Sequence, residues 1–318
     1  MSEWLVHPGL LLVLGAFALP WLRGGARSAA VLALPLLALF CLWQLPEGAL
    51  WRAHWLGYEL APLNVDKLSR LFATIFALMA CGGGLFALRQ ASRLEIPAAY
   101  VYAGSAIGVA LAGDLVTVFV FWELMAVGST LVLWSAGTKT AWAASRRYVM
   151  VHLAGGVVLF AGVTGHLLDT GDAAFVRMAP DSVAHWLILV GFLINAGAPP
   201  LSAWLPDAYP EASWSGTVFL SAFTTKTAVY VLLRGFPGTE FLIWVGLFMV
   251  FYGIVYALLE NDMRRILAYS IVNQVGFMIA GIGIGTEMAL NGAAAHAFTH
   301  IIYKALLLMS AGAVLAAT

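Results

Sequence analysis

The chain has 318 residues, of which 62% are apolar and only 10% are Asp, Glu, Lys or Arg, and its formal net charge is zero. Soluble domains carry about 25% charged residues, so a soluble enzyme is disfavoured, and no basic face exists to attract nucleic acid. Cys41 and Cys81 both lie within apolar stretches, which argues against a disulfide framework and leaves no metal-ligand spacing.

The charges are also spaced about one membrane thickness apart. A helix needs about 20 mostly apolar residues to cross about 30 Å of hydrocarbon, and eleven windows of that kind run from charge to charge. Only helices or closed barrels satisfy their backbone in lipid. The windows therefore predict an all-α, polytopic membrane protein with about eleven transmembrane helices. The first window, 4–22, follows Ser2 and Glu3 without a basic n-region, and reads as a retained span rather than a signal peptide. After the second, 28–46, the connection 46–66 contains WRAHWLGYEL, a candidate β-hairpin at the interface. Windows 71–88 and 96–113 are followed by 115–138, interrupted by Glu123 alone, and by 148–168, which carries His152 and His166. The seventh, 182–206, contains Pro199 and Pro200, and the eighth, 212–233, contains Lys226. The last three are 241–259, 266–286 and 288–315, the final one holding Lys304.

Lysine and arginine placement sets the expected orientation. Connections after odd-numbered windows hold Arg23 and Arg27, Arg89 and Arg93, Lys139 with Arg146 and Arg147, and Arg264 with Arg265. Those after even-numbered windows are poorer. The expected topology is a multi-pass protein of the plasma (inner) membrane, N-terminus outside and C-terminus cytoplasmic.

A charge at mid-membrane costs at least a few kcal/mol and usually faces a partner or a water-filled cavity. Glu123 as a carboxylate bonded to a neighbouring helix, and Lys226 as a side chain snorkelling to its helix end, are the structural alternatives. His296 and His300 precede Lys304 by eight and four residues, which places all three on one helix face. Imidazole changes protonation near neutral pH, so this stripe, with bridging water, can hand protons along. Zinc on His296 and His300 is the rival, but no carboxylate or cysteine is near in sequence to complete a site. In the seventh window Pro199, Pro200, Pro206 and Pro210 predict an interruption. Two readings stand open: a discontinuous helix lining a cavity, or a helix ending near Pro199 before a loop with Asp207 and Glu211.

The blocks FWELM around Glu123, PLSAWLPDAYPEA, LSAFTTKTAVYVLLR, ENDMRRILAYSIVNQVGF and HAFTHIIYKALLLMSAGAV resemble, in order and spacing, a known family. It is that of the antiporter-like membrane subunits shared by respiratory complex I and the multisubunit Mrp cation/proton antiporters, most nearly the Mrp D-type subunit. The resemblance covers roughly residue 110 to the end. It implies two inverted five-helix repeats: 1–95 an N-terminal three-helix segment, 96–235 a complete first repeat, and 236–318 an incomplete second repeat. It implies a hydrated proton path through Glu123, Lys226, His296, His300 and Lys304. Asn195, Pro199, Pro200 and Asp207 would host water about the broken seventh helix, with His152 in an accessory position.

Two departures from the family pattern matter. The family usually carries Lys nine residues before the Trp of the WLPDA block, where this sequence has Asn195. The family also continues past the eleventh helix, so the remaining helices sit on another chain, belong to a longer protein, or are dispensed with. The implied function is a subunit of an Mrp-like antiporter, conducting protons coupled to a monovalent cation, Na+ by preference, among other membrane subunits. Two rivals are a proton-conducting subunit energising another complex, for inorganic-carbon uptake or of the complex I or hydrogenase kind, and a structural subunit with a decayed path. No nucleotide-binding loop, flavin fingerprint or cysteine cluster is present, so no cofactor is assigned.

Overall fold

The structure, a computed structural model, describes residues 5–90 and 92–317. Ser2 and Glu3, on which the reading of the first window turned, lie outside the described residues. The first helices are α1 (Pro8–Ala18) and α2 (Gly24–Gln44), followed by strands β1 (Gly48–Trp55) and β2 (Tyr58–Val65). Then come α3 (Lys67–Phe86), α4 (Glu95–Leu111), α5 (Leu115–Trp134), α6 (Lys139–Thr170) and α7 (Val183–Ala196). The chain continues through α8 (Trp204–Ala208), α9 (Gly216–Ala222), α10 (Thr224–Gly235), α11 (Phe241–Leu259), α12 (Met263–Ile284) and α13 (Glu287–Ala317). Among the described residues eight helical segments are long and apolar enough to span a membrane, α9 and α10 counting as one. The shorter apolar helices are Pro8–Trp21, Glu95–Leu111 and Val183–Ala196.

Two elements form the centre of the bundle. Every residue of α4 is buried, and the α9–α10 span is enclosed along its length. The other spans turn one face inward and expose aromatic and aliphatic side chains outward, the pattern of helices whose solvent is lipid. Close pairs are α11 with α12, α6 with α7, and α4 with α5 and α1. In lipid such pairs are held by packing and by small residues that let backbones approach. A Cβ on Gly276 of α12 would fall 2.7 Å from the Gly246 carbonyl of α11.

The predicted hairpin is present. Strands β1 and β2 pair antiparallel from Gly48 opposite Val65 to Trp55 opposite Tyr58. Leu56 and Gly57 turn it with positive φ of 50° and 87°, the mirror-image turn that suits the twist of two strands. The Asp114 carboxylate caps α5 through the Thr117 amide at 2.7 Å and accepts from the Ala61 amide of β2 at 2.9 Å. Arg234 at the end of α10 pairs with Asp66, the N-cap of α3. The hairpin thereby closes one end of the bundle.

The interruption predicted in the seventh window is also present. Helix α7 ends at Ala196, Gly197 takes the left-handed conformation at φ 77°, and helix resumes only at Trp204. A second interruption lies in the eighth window, at Phe223 between α9 and α10. No proline or glycine marks it.

Candidate functional site

The break at Phe223 frees backbone groups in the middle of the bundle, and two side chains take them. The Tyr102 hydroxyl, from α4, accepts the Thr224 amide at 2.8 Å, bonds the Thr224 hydroxyl, and lies 3.3 Å from the Leu220 carbonyl. Lys226 curls back so that Nζ donates to the Ser221 carbonyl at 2.7 Å. The amine is thus held at the carboxyl end of α9, where the helix dipole favours positive charge. Lys226 is 0% exposed, and the neighbouring Thr225 and Thr227 hydroxyls have no hydrogen-bond partner. It does not snorkel: it is fixed inside.

On one side of the break, α6 carries three positions a turn apart, Tyr148, His152 and Gly156. Glu123 of α5 rests on the bare backbone of Gly156, where an added Cβ would meet its Oε1 at 2.2 Å. That oxygen is buried and without a partner. His152 is fully buried, its ring centroid 4.0 Å from that of Tyr148 and 4.7 Å from that of Trp204. It faces Asn195 of α7, yet neither His152 nitrogen nor the Asn195 side-chain oxygen has a partner in hydrogen-bond geometry. Tyr148 donates to Ser129 at 2.9 Å. Tyr102, Tyr148 and Tyr209 converge, all buried, around Thr224.

On the other side lie α12 and α13. The Lys304 amine donates to the Ser270 hydroxyl at 2.5 Å. His296 Nε2 lies 2.9 Å from Gln274 Oε1, which also accepts from the Tyr303 hydroxyl at 3.1 Å. The predicted face of α13 is therefore turned toward α12. His300 sits between the other two, 0% exposed, with both nitrogens unpartnered. Lys304 lies within electrostatic range of Lys226, and His300 within range of both.

Not every candidate residue joins this line. Asp207 forms a two-pronged ion pair with Arg147, both contacts 2.8 Å, where its side chain is partly exposed. Pro199 and Pro200 follow the end of α7, with Pro200 exposed. Of the four residues grouped around the seventh-window interruption, only Asn195 is buried against a titratable group. Sequence reading placed Thr224, Thr225 and Thr227 around Lys226 but did not single out Tyr102, Tyr148, Tyr209, Ser270 or Gln274. Their one signal was polar atoms in long apolar windows, which is weak because tyrosine and serine are common in such windows.

Ionisable side chains enclosed along the middle of an apolar helix bundle, with a helix broken beside one of them, are the features of a membrane transport protein. Residues 112–318, more than half of the chain, match the family model described as NADH:quinone oxidoreductase/Mrp antiporter, transmembrane, and the chain belongs to this family. It is 31% identical over 287 residues to the D-type subunit of the Na+/H+ antiporter of Alkalihalophilus pseudofirmus, covering 81% of this chain and 58% of that protein. It is 29% identical over 311 residues to the M-type subunit of the NADH-quinone oxidoreductase of Escherichia coli, covering 88% of this chain and 59% of that protein. The chain thus spans a little under three fifths of these curated relatives. Among solved structures, a chain of the Mrp complex from Dietzia sp. DQ12-45-1b superposes with a TM-score of 0.88 at 26% identity, over 98% of this chain and 37% of that one. A chain of respiratory complex I from Thermus thermophilus shares the fold, with a TM-score of 0.84 at 23% identity, over 98% of this chain and 71% of that one.

Proposed function

We propose that this chain is a proton-conducting subunit of a multisubunit Mrp-like cation/proton antiporter. Protons pass from Glu123 by His152 and the Tyr148–Tyr102–Thr224 hydroxyls to Lys226, and on through His300 to Lys304, with His296 at the margin. The unpartnered polar atoms along this line are where buried water is held, since a buried polar atom needs a hydrogen-bond partner that the protein does not supply here and a buried water bridges two to four such atoms. The single observation that carries the reading is Lys226, a fully buried amine held at a helix break between two groups of titratable side chains. Moving one charge through 100 mV exchanges about 2.3 kcal/mol, enough for protonation changes at a few coupled groups to drive movement of a monovalent cation, Na+ in the first instance.

The remaining assignments belong to the same proposal. Residues 96–235 form a first repeat of five spans, with 236–318 entering an inverted second repeat after the N-terminal segment 1–95. The protein lies in the plasma membrane with its N-terminus and hairpin outside, beside other membrane subunits. Protein of this kind moves ions and carries out no redox step on its own residues.

The test uses the chain with its native partner subunits in everted vesicles. E123Q and K226A are expected to abolish cation-driven proton movement while the complex still assembles. Unchanged flux in both variants would remove these residues from the path.

A further inference from the structure

Away from the polar line, three arginines gather where α1 gives way to α2. Arg23 is the N-cap of α2, Arg27 lies one turn further, and Arg93 enters from the connection between α3 and α4. With Pro20, Leu22 and Gly24 they line a recess of about 180 Å³ that holds no carboxylate. The nearest acid in sequence, Glu95, is turned away, bonded to Ser213 at 2.6 Å, to Ser135 at 3.2 Å and to Ser215. Among the described residues none of the three arginines forms an ion pair. One of them is short of an acceptor: Arg27 Nη2 is buried and has no hydrogen-bond partner. A desolvated guanidinium donor left unmade costs more than an ordinary hydrogen bond returns, and its planar fork fits a phosphate group.

Leu22 also lines a second cavity, apolar and about 660 Å³ in volume, formed by Gly15, Ala18 and Leu19 with Ala30, Leu34 and Leu37 of α2. Gly15 forms its floor, where a Cβ would meet the Leu34 side chain at 2.6 Å. The two cavities share one face of α2. Positions 23, 27, 30, 34 and 37 follow a spacing of four and three, so the same stripe is cationic at its start and aliphatic thereafter. At 1.5 Å per residue, Arg27 to Leu37 spans about 15 Å, half of the roughly 30 Å hydrocarbon core and therefore the depth of one leaflet. Trp21, 80% exposed, sits beside the basic end, at the level where indole rings collect between headgroup and chain.

We propose that this face is a binding site for an anionic phospholipid, its headgroup phosphate among Arg23, Arg27 and Arg93 and one acyl chain along the α1–α2 groove. Three cations without a counter-charge select a lipid of net negative charge over a zwitterionic one. The continuous apolar groove selects a lipid over free phosphate. The site stands apart from Glu123 and Lys226, so its test is independent of the proton path.

The chain, purified from its native membrane with its accompanying subunits, is exchanged into micelles containing phosphatidylglycerol or phosphatidylcholine, and retained lipid is counted by native mass spectrometry. Phosphatidylglycerol is expected to be retained preferentially, with about a five-fold loss of affinity for each of R23Q, R27Q and R93Q. A33W, which fills the groove at an exposed position lining it, is expected to lose the lipid without altering the charge. R52Q, on the hairpin at the far end, controls for loss of charge and should retain the wild-type amount. Equal retention of both lipids, or unchanged phosphatidylglycerol in the arginine variants and A33W, overturns the proposal. So does inorganic phosphate that protects wild type and A33W alike with no lipid preference, which marks a free-anion site.

Discussion

Glu123 and Lys226 are both out of place in an apolar helix, yet the protein holds them in different ways. Lys226 has a backbone carbonyl as its partner, whereas Glu123 has the space left by a missing side chain at Gly156. A fixed amine and a carboxylate with a free oxygen suit a line along which charge moves. Asp66, outside the spans, shows the purely structural use of charge. Burial pushes its carboxyl up, but the Arg234 guanidinium and the Ser69 amide outweigh that and hold it below the usual carboxylate value. Its contribution is therefore present at neutral pH and is lost as pH falls from about 4 through the lowered folded value. D66N is expected to melt earlier than wild type at pH 7, with the gap narrowing below about pH 4, as followed by thermal unfolding of the purified assembly. At this scale the sequence was informative wherever a formal charge broke an apolar window. Glu123, Lys226 and the His296–His300–Lys304 face were legible for that reason. The hydroxyl of Tyr102 was not, because a tyrosine among apolar residues looks the same whether or not it fills a helix break.

The elements divide in the same way. The hairpin was readable from WRAHWLGYEL, and the end of α7 from its prolines with the left-handed Gly197. The break between α9 and α10 was not, since SAFTTKTAV contains no residue that breaks a helix by itself. There α4, buried on every side, brings one hydroxyl to the two backbone ends. Y102F removes that hydroxyl and takes away the side-chain partner of the buried Thr224 amide. It is expected to cost about 1–3 kcal/mol, measured as a lower unfolding midpoint in denaturant. A midpoint equal to that of wild type would show that the break is intrinsic to the α9–α10 segment. Close helix pairs such as α11 and α12 were also hidden, because Gly246 and Gly276 mark a contact only once their partners are known.

For the molecule as a whole, composition decided the class before any motif was read. The arginine and lysine pattern goes further and predicts that the hairpin and the α11–α12 connection face opposite sides of the membrane. Glu59→Cys and Asn261→Cys, both at exposed positions, should react with a membrane-impermeant maleimide from opposite sides, the first from outside the cell. Labelling of both from one side would reverse that assignment. The sequence alone determined that this protein is a polytopic helical membrane protein, because burying charge in lipid is so costly that every charge inside a span is informative, and its motif blocks carried the resemblance to the antiporter family. Only the tertiary structure decided which of those charges meet. It placed Lys226 on a broken helix, seated His152 against Asn195 and set Asp207 apart on Arg147. Hydropathy records how far a side chain lies from water along one helix, whereas a path for protons depends on how neighbouring helices turn toward one another. That rotation is set by packing between residues distant in sequence.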